Sequence, residues 1–402
     1  MDTPDDRTAD RSIPRRAFLG GAALAAVPVA AAAVPSLAAA QDPPTRPARG
    51  FPGLISRQRG PDNLEFPFPT LDSFITPTAQ FFVRNHFDVP DVDVKTWRIR
   101  VEGVVDKPFN IGSEELRNLP SRTITATLEC AGNGRVFLRP PQVGVRWEQG
   151  AVSNAEWTGV PLATLLQRAG VRDGAVEVIL EGADRGEYRD PLPRTPGVIP
   201  FARSLPIAKA RLQDVLVAYR MNGQNLTPAH GLPARVVVPG WYGMASVKWL
   251  RRILVIDQPF RGYFQTFAYT IWQRRAGLAD LAQIGEMQVK AQIARPTLAE
   301  VVPAGAKYRV FGAGWTGEAE VTAVDVSTDG GTRWSPARLL DKAVRHSWRL
   351  WEYEWAVPQQ PGRHILMARA TDSQKRVQPI QRDDDRRDSM ISHVQRIEVE
   401  VR

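Results

Sequence analysis

The stretch of this 402-residue chain best equipped for chemistry is Thr127-Leu128-Glu129-Cys130-Ala131-Gly132-Asn133-Gly134-Arg135, and it holds the chain's single cysteine. A lone cysteine cannot staple a fold internally. Residues 122–128 are rich in β-branched side chains and read as a strand that delivers the Cys130 thiol at its end. The two glycines and the asparagine that follow permit tight turns and leave backbone N–H groups free to face an anion. A thiol beside such a turn and beside Arg135 suits a soft-metal ligand or a nucleophile. The ordinary reading of a lone cysteine, a small buried hydrophobe, stays open at this point.

The elements that must position this thiol point to an α+β chain. Residues 94–103 alternate like a strand, and residues 176–180 and 235–239 read as buried strands. Residues 113–119 look like a short helix with Ser113 as its N-cap, and residues 161–170 like a helix opened by Pro161 and closed by Gly170. From about residue 284 the pattern changes to short strands and turns. Residues 321–334 read as strand, Asp-Gly-Gly turn, strand, and residues 348–355 and 364–370 read as further strands. Such a run suits an immunoglobulin-like sandwich. Four segments are expected: a leader at 1–40, a Pro/Arg-rich extended segment at 41–75 lying on a domain surface, a mixed domain at 76–283, and the sandwich at 284–402. The charge run at 381–388 reads as a solvated loop.

The N-terminus reads as an address. Arg15-Arg16 precede an apolar Ala/Val run, and Ala38-Ala39-Ala40 offers a small-residue cleavage site. This is signal-peptide anatomy of the twin-arginine type, so the expected location is periplasmic or extracellular. Pro28 and Pro35 break the run, and no later stretch is apolar enough to span a bilayer. About 360 residues would remain, ample for a sizeable core without disulfides. The formal charge of +9 sits in that remainder, because four aspartates cancel four arginines ahead of the apolar run. A basic surface steers small anions or an acidic redox partner. Nucleic acid is not an expected partner of an exported chain that lacks a recognisable binding module.

Several motifs in order carry a family resemblance. They are Phe81-Phe82-Val83-Arg84-Asn85-His86, then Thr127-Leu128-Glu129-Cys130-Ala131-Gly132-Asn133, then the run from His230 to Gly240, then Val247-Lys248-Trp249-Leu250. From about residue 75 onward the chain resembles the sulfite oxidase family of molybdenum enzymes. The resemblance implies that the Cys130 thiolate binds molybdenum carried by molybdopterin. It implies that Phe82, Val83, Arg84, Asn85 and His86 touch the pterin. Asp184, His230, Arg235, Ser246, Val247 and Lys248 would hold the pterin and its phosphate. It also implies a substrate pocket of Arg84, Arg135, Trp147 and Tyr269, and a sandwich used to form a homodimer.

Departures accompany the likeness. Relatives that act on sulfite tend to have Asp where Ala268 stands, a second Arg where Gly134 stands, and Gln where Glu129 stands. A third substrate arginine is expected from the C-terminal region, with Arg386 and Arg387 in the right neighbourhood. One cysteine excludes a Cys-x-x-Cys-His haem attachment, so electrons must leave to an external acceptor such as a cytochrome c. The expected reaction is periplasmic oxidation of sulfite, a small oxyanion, to sulfate. The alternatives are reduction of a sulfoxide, N-oxide or other oxyanion on the same cofactor, and a secreted non-catalytic binding protein on the same fold.

Overall fold

Short apolar alternations dominate this chain, and they fold as sheets with few helices. The computed structural model describes residues 47–48, 51–189, 194–340 and 342–402. The leader expected at 1–40 lies outside the described residues. No helix among the described residues is long and apolar enough to cross a membrane.

Two five-stranded sheets carry the residues up to about 260. One runs in the order Gln224–Asn225, Leu216–Met221, Val152–Pro161, Arg122–Glu129, with Arg235–Val237 also paired to Leu216–Met221. The other runs Phe109–Gly112, Arg98–Gly103, Leu250–Ile256, Glu177–Gly186, Ile199–Pro206, and it is mixed. Its Arg98–Gly103 and Leu250–Ile256 strands are parallel, while the remaining pairs are antiparallel. The Arg98–Gly103 strand is shorter than the alternation at 94–103 suggests, because Asp93 caps a turn there through Lys95 N–H and Thr96 Oγ1.

The helix Leu162–Ala169 follows its sequence signals. Leu162, Leu165, Leu166 and Ala169 form one buried stripe, Pro161 precedes the first turn, and Gly170 ends it at φ 67°. In the helix Ser113–Asn118 the expectation is corrected. Gly112 occupies the N-cap position, Ser113 is the first helical residue, and no side chain caps the end. The segment at 41–75 is likewise more than a surface strap. Its strands Phe51–Gln58 and Asn63–Glu65 bury Leu54, Leu64, Asn63 and Glu65, and Phe66 and Phe68 follow into the core.

Beyond residue 284 two further sheets face each other. One comprises Lys290–Arg295, Lys307–Trp315, Arg349–Ala356 and Arg338–Leu339. The other comprises Val301–Val302, Ile397–Val401, Gly362–Asp372, Val321–Ser327 and Ser335–Pro336. Val310, Val324, Trp351, Trp355, Leu366 and Val399 belong to one buried cluster between them. The turn after Ser327 is closed by Asp329, whose carboxylate accepts the Thr332 and Arg333 N–H groups.

The two regions are joined at the Cys130 strand. Phe311, Trp315 and Trp348 pack into the larger core, whose other members come mostly from the first two sheets. Thr127 N–H donates to His346 O at 2.9 Å, and Trp348 N–H donates to Thr127 Oγ1 at 2.8 Å. Glu129 and Lys290 form a fully buried ion pair at 2.9 Å, and Trp315 Nε1 donates to the other Glu129 oxygen at 2.9 Å. A buried pair of this kind tolerates loss of neither partner, because the remaining charge would stand uncompensated in the interior.

Candidate active site

Cys130 directly follows the strand Arg122–Glu129, as its β-branched run predicts. Its backbone is pinned, with Cys130 N–H donating to Ala151 O and Asn133 N–H donating to Cys130 O, both at 2.9 Å. Asn133 locks the turn through its side chain. Its Nδ2 donates to Glu129 Oε1 at 3.1 Å, and its Oδ1 accepts Ala151 N–H at 3.1 Å. The thiol is 6% exposed and borders two adjoining cavities, which share Arg84, His86, Cys130 and Tyr269.

The first cavity is cationic. Phe82, Val83, Arg84, Asn85, His86, Asp184, His230, Arg235, Ser246 and Lys248 all line it. Residues 81–86 are held in place by Val83, which exchanges both backbone hydrogen bonds with Leu64 at 2.8 Å, and by Asn63, whose Oδ1 accepts Asn85 N–H at 2.9 Å. His230 and Arg235 are brought together by a 3₁₀ turn capped by Thr227 and by the following short strand. Arg235 Nη2 donates to Ser246 O at 3.0 Å, and its guanidinium lies 5.1 Å from the Trp157 ring. Lys248 donates to Asn85 Oδ1 and, at 2.9 Å, to Ala229 O. Trp249 follows it in the left-handed region at φ 49°, a strained conformation that concentrates at functional sites.

Asp184 lies on Glu177–Gly186, where the pairing slips by a bulge between Glu181 and Arg185. Gly182 makes room for it, since a Cβ there would sit 2.4 Å from Asp184 Oδ1. That oxygen is buried and has no hydrogen-bond partner among the described residues. Val247 is the exception among the expected cofactor contacts. It does not line the cavity; its side chain belongs to the hydrophobic core and its carbonyl accepts Val236 N–H at 2.8 Å.

Charge in this cavity is unbalanced. Arg84, Arg235 and Lys248 face it with one carboxylate, Asp184, and none of the three cations has an ion-pair partner within 4 Å among the described residues. Burial pushes the Arg235 pKa down to about 9, and burial followed by the Arg235 charge lowers that of Lys248. Burial raises the Asp184 carboxyl to about 7, against the pull of Lys248. Burial, then Lys248 and Arg235, pushes His230 down to about 3, and burial with Arg84 holds His86 well below the ordinary histidine value. Both imidazoles are therefore neutral near pH 7.

The second cavity is aromatic. Arg135, Val143, Gly144, Val145, Tyr188, Tyr263, Phe264, Phe267, Ala268 and Arg387 are among its walls. Arg135 runs through a sleeve made by absent side chains. A Cβ on Gly132 would lie 2.5 Å from its guanidinium, and one on Gly144 would lie 2.9 Å away. Its Nη1 donates to Val145 O at 2.9 Å and its Nε to Asp388 O at 3.1 Å. Tyr269 ends a π-turn, Phe264–Ala268, a form that recurs at functional sites. Its hydroxyl lies 2.5 Å from His86 Nε2, and burial pushes its pKa up to about 12. Since His86 is neutral, the Tyr269 O–H can donate to Nε2.

Trp147 is a correction. It does not line either cavity; its side chain is fully buried, and Val145 takes the place at the wall. The reason is a tight turn, in which Trp147 N–H donates to Val145 O at 3.0 Å and sends the indole inward. The C-terminal arginines also separate. Arg387 lines the aromatic cavity, whereas Arg386 pairs with Asp383 at 3.1 Å and lines a different one. The charge run at 381–388 is thus part of a wall and not only a solvated loop. Sequence reading missed Phe201, which stacks on His86 at 4.1 Å, and Arg203, which is fully buried and donates to Phe264 O and Ile284 O behind Tyr269. An arginine in a mostly apolar strand, Ile199–Pro206, was the available signal for the second.

Whether these residues fit a molybdopterin follows from their chemistry. Arg235 is buried, Arg84 and Lys248 are half-buried, and the three together call for an anionic group, which the phosphate supplies. The orphaned Asp184 Oδ1 calls for an N–H donor, which a pterin ring supplies. Among the described residues no three His, Cys, Asp or Glu side chains converge, so a metal beside Cys130 would take its other ligands from the cofactor. The residues fit.

Comparisons with known proteins agree. Residues 86–264 match the oxidoreductase molybdopterin binding domain, and residues 281–400 match the Mo-co oxidoreductase dimerisation domain. Sulfite oxidase of Gallus gallus is 37% identical over 365 residues, covering 86% of this chain and 77% of that protein. The mitochondrial sulfite oxidase of Rattus norvegicus is 34% identical, and the chain spans 64% of its length. The crystal structure of the sulfane dehydrogenase SoxCD from Paracoccus pantotrophus superposes with a TM-score of 0.74 at 28% identity, covering 87% of this chain and 86% of that one. The chain belongs to the sulfite oxidase family of molybdopterin oxidoreductases.

Proposed function

We propose that this protein oxidises sulfite to sulfate and passes the electrons, one at a time, to an external acceptor such as a cytochrome c. The observation that carries the reading is the convergence of Arg84, Arg135, Cys130 and Tyr269 on one cavity. The balanced conversion is SO3²⁻ + H2O → SO4²⁻ + 2H⁺ + 2e⁻. When bound, the molybdenum cofactor supplies the oxygen-atom transfer and accepts both electrons.

The chain's residues do the rest. The Cys130 sulfur holds the metal as a thiolate, a soft donor suited to a sulfur-rich site. Arg84 and Arg135 bind the oxyanion and orient it, which replaces an entropic cost at the reacting centre. Tyr269 keeps its proton near neutral pH and presents Oη as a donor toward substrate or product. His86 Nε2, neutral and 2.5 Å away, is placed to accept a hydrogen bond from this hydroxyl and hold it in position until an oxyanion competes for it. Asp184, Arg235 and Lys248 anchor the pterin end.

The same reading extends to the chain's setting. The Arg15-Arg16 leader supports export by the twin-arginine route to the periplasm, with the cofactor loaded beforehand. The pair of C-terminal sheets reads as an immunoglobulin-like sandwich, and its match to a dimerisation domain supports a homodimer.

The test is parallel assays on protein matured with its leader and a molybdenum supply. Sulfite with ferricyanide should turn over, and sulfoxides with reduced viologen should not. One molybdenum per chain with turnover only in the second assay would replace oxidation by reduction.

A further inference from the structure

The aromatic cavity is built for more than a four-atom oxyanion. It holds about 250 Å³, whereas a dry cavity of roughly 150 Å³ already accommodates benzene. One flank is a row of near-parallel rings. Tyr188 stacks on Tyr263 at 6.1 Å and 22°, and Tyr263 stacks on Phe267 at 6.0 Å and 9°. Phe267 is 43% exposed although it borders the reacting end of the molecule.

Arg84, Arg135 and Arg387 all reach this cavity, each with part of its guanidinium engaged: Arg84 Nη1 by Asn85 O, Arg135 Nη1 by Val145 O at 2.9 Å, and Arg387 Nη1 by Thr270 Oγ1. The arginines match the oxygens of an anion, and the rings match a carbon group. An organic sulfinate, R–SO2⁻, has that composition. It is sulfite with one oxygen replaced by carbon, and it keeps the sulfur lone pair that the oxidation uses.

We propose that this site also accepts aryl sulfinates, with the ring stacked along Tyr263 and Phe267 and the two oxygens on Arg84 and Arg135. The inference rests on the proposed reading of this site as one that oxidises a sulfur oxyanion. The conversion is R–SO2⁻ + H2O → R–SO3⁻ + 2H⁺ + 2e⁻. One S–O bond forms, sulfur loses two electrons, the C–S bond is untouched, and two equivalents of a one-electron acceptor take the electrons.

The experiment uses the molybdenum-loaded enzyme with benzenesulfinate, methanesulfinate and sulfite, each with ferricyanide. Benzenesulfonate, which does not turn over, is titrated calorimetrically as a second readout. Benzenesulfinate should give benzenesulfonate carrying one oxygen from labelled water, with kcat/KM about tenfold above that of methanesulfinate. Phe267→Ala should lower the benzenesulfinate-to-sulfite ratio of kcat/KM about tenfold and weaken benzenesulfonate binding in parallel. Phe267→Leu, which keeps an apolar group without the ring, should fall between. Sulfite turnover with benzenesulfinate neither bound nor converted, or converted indifferently to Phe267→Ala, overturns the sulfinate site and leaves the sulfite reading intact. Loaded enzyme that converts neither substrate overturns both. Conversion of benzenesulfinate alone upholds the sulfinate site and removes sulfite as substrate.

Discussion

The cationic and aromatic cavities share four residues yet are built on opposite principles. In the cationic cavity, polar groups are buried, anchored by backbone carbonyls, and left short of counter-charge, as at Arg235 and Lys248. Such a site is costly to leave empty and complementary to one anionic shape. In the aromatic cavity, rings stack on one another and stay partly exposed, and Arg84 and Arg135 already have some of their donors engaged by backbone carbonyls. That wall accepts variation in what it faces. Under the proposed function, a demanding site for a resident group and a more permissive one for a visiting group would sit on either side of Cys130.

Cys130 belongs to both cavities, so its replacement breaks the comparison outright. Cys130→Ser is close in volume and should leave the fold intact. Turnover of every substrate should fall below detection, and any molybdenum retained should lose its thiolate spectroscopic signature. Wild-type-like turnover in Cys130→Ser would remove the thiolate from the mechanism.

Removing one half-buried cation separates the two sides. Lys248→Met should weaken retention of the molybdopterin by roughly 10- to 150-fold, the equivalent of about 1.5–3 kcal/mol for one hydrogen bond to a charged group. The loaded protein's melting temperature should drop, and that of cofactor-free protein should move less, since Lys248 lacks an ion-pair partner there. An equal drop in both states would mean that Lys248 serves the fold and not the anion.

The two sides also differ in how far they could be read from sequence. Most cationic-cavity residues lie in short contiguous motifs, because a loop or strand end delivers neighbours such as Arg84, Asn85 and His86 together. The detail is then lost, since Val247, between Ser246 and Lys248 in an irregular segment, turns into the core. The aromatic flank has no such motif. Tyr188, Tyr263 and Phe267 meet only after the Ile199–Pro206 strand and the π-turn have packed. The pairing of Glu129 with Lys290 crosses 161 positions, and composition could not announce it. Trp147 shows the converse error, in which a motif match survives while a tight turn reverses the side chain.

A smaller effect probes the aromatic side. Arg135→Gln should raise KM for sulfite about tenfold with little change in kcat, as expected for loss of one charge-assisted contact. Gly132→Ala should act in the same direction through the sleeve, because the added methyl must displace the Arg135 guanidinium. An unchanged KM in both would take Arg135 out of the substrate's reach.

A pH slope in cofactor-free protein distinguishes two buried groups of the cationic cavity by its sign. His230 falls from 6.5 to about 3 in the folded state, chiefly by burial and then by Lys248 and Arg235. Below pH 6.5 the unfolded chain therefore binds a proton that the folded chain refuses. The His230 contribution is fully present above 6.5 and is lost as pH falls toward 3. Asp184 behaves oppositely. Its carboxyl rises from 3.8 to about 7, so its contribution is full below 3.8 and is lost as pH rises toward 7. His230→Gln should flatten the rise of melting temperature between pH 4 and 6.5, while Asp184→Asn should steepen it. Loading the cofactor should blunt the Asp184 effect, since a donor then meets Oδ1 and favours the charged form. Identical slopes in the two variants would show that neither group is held away from its ordinary titration by this cavity.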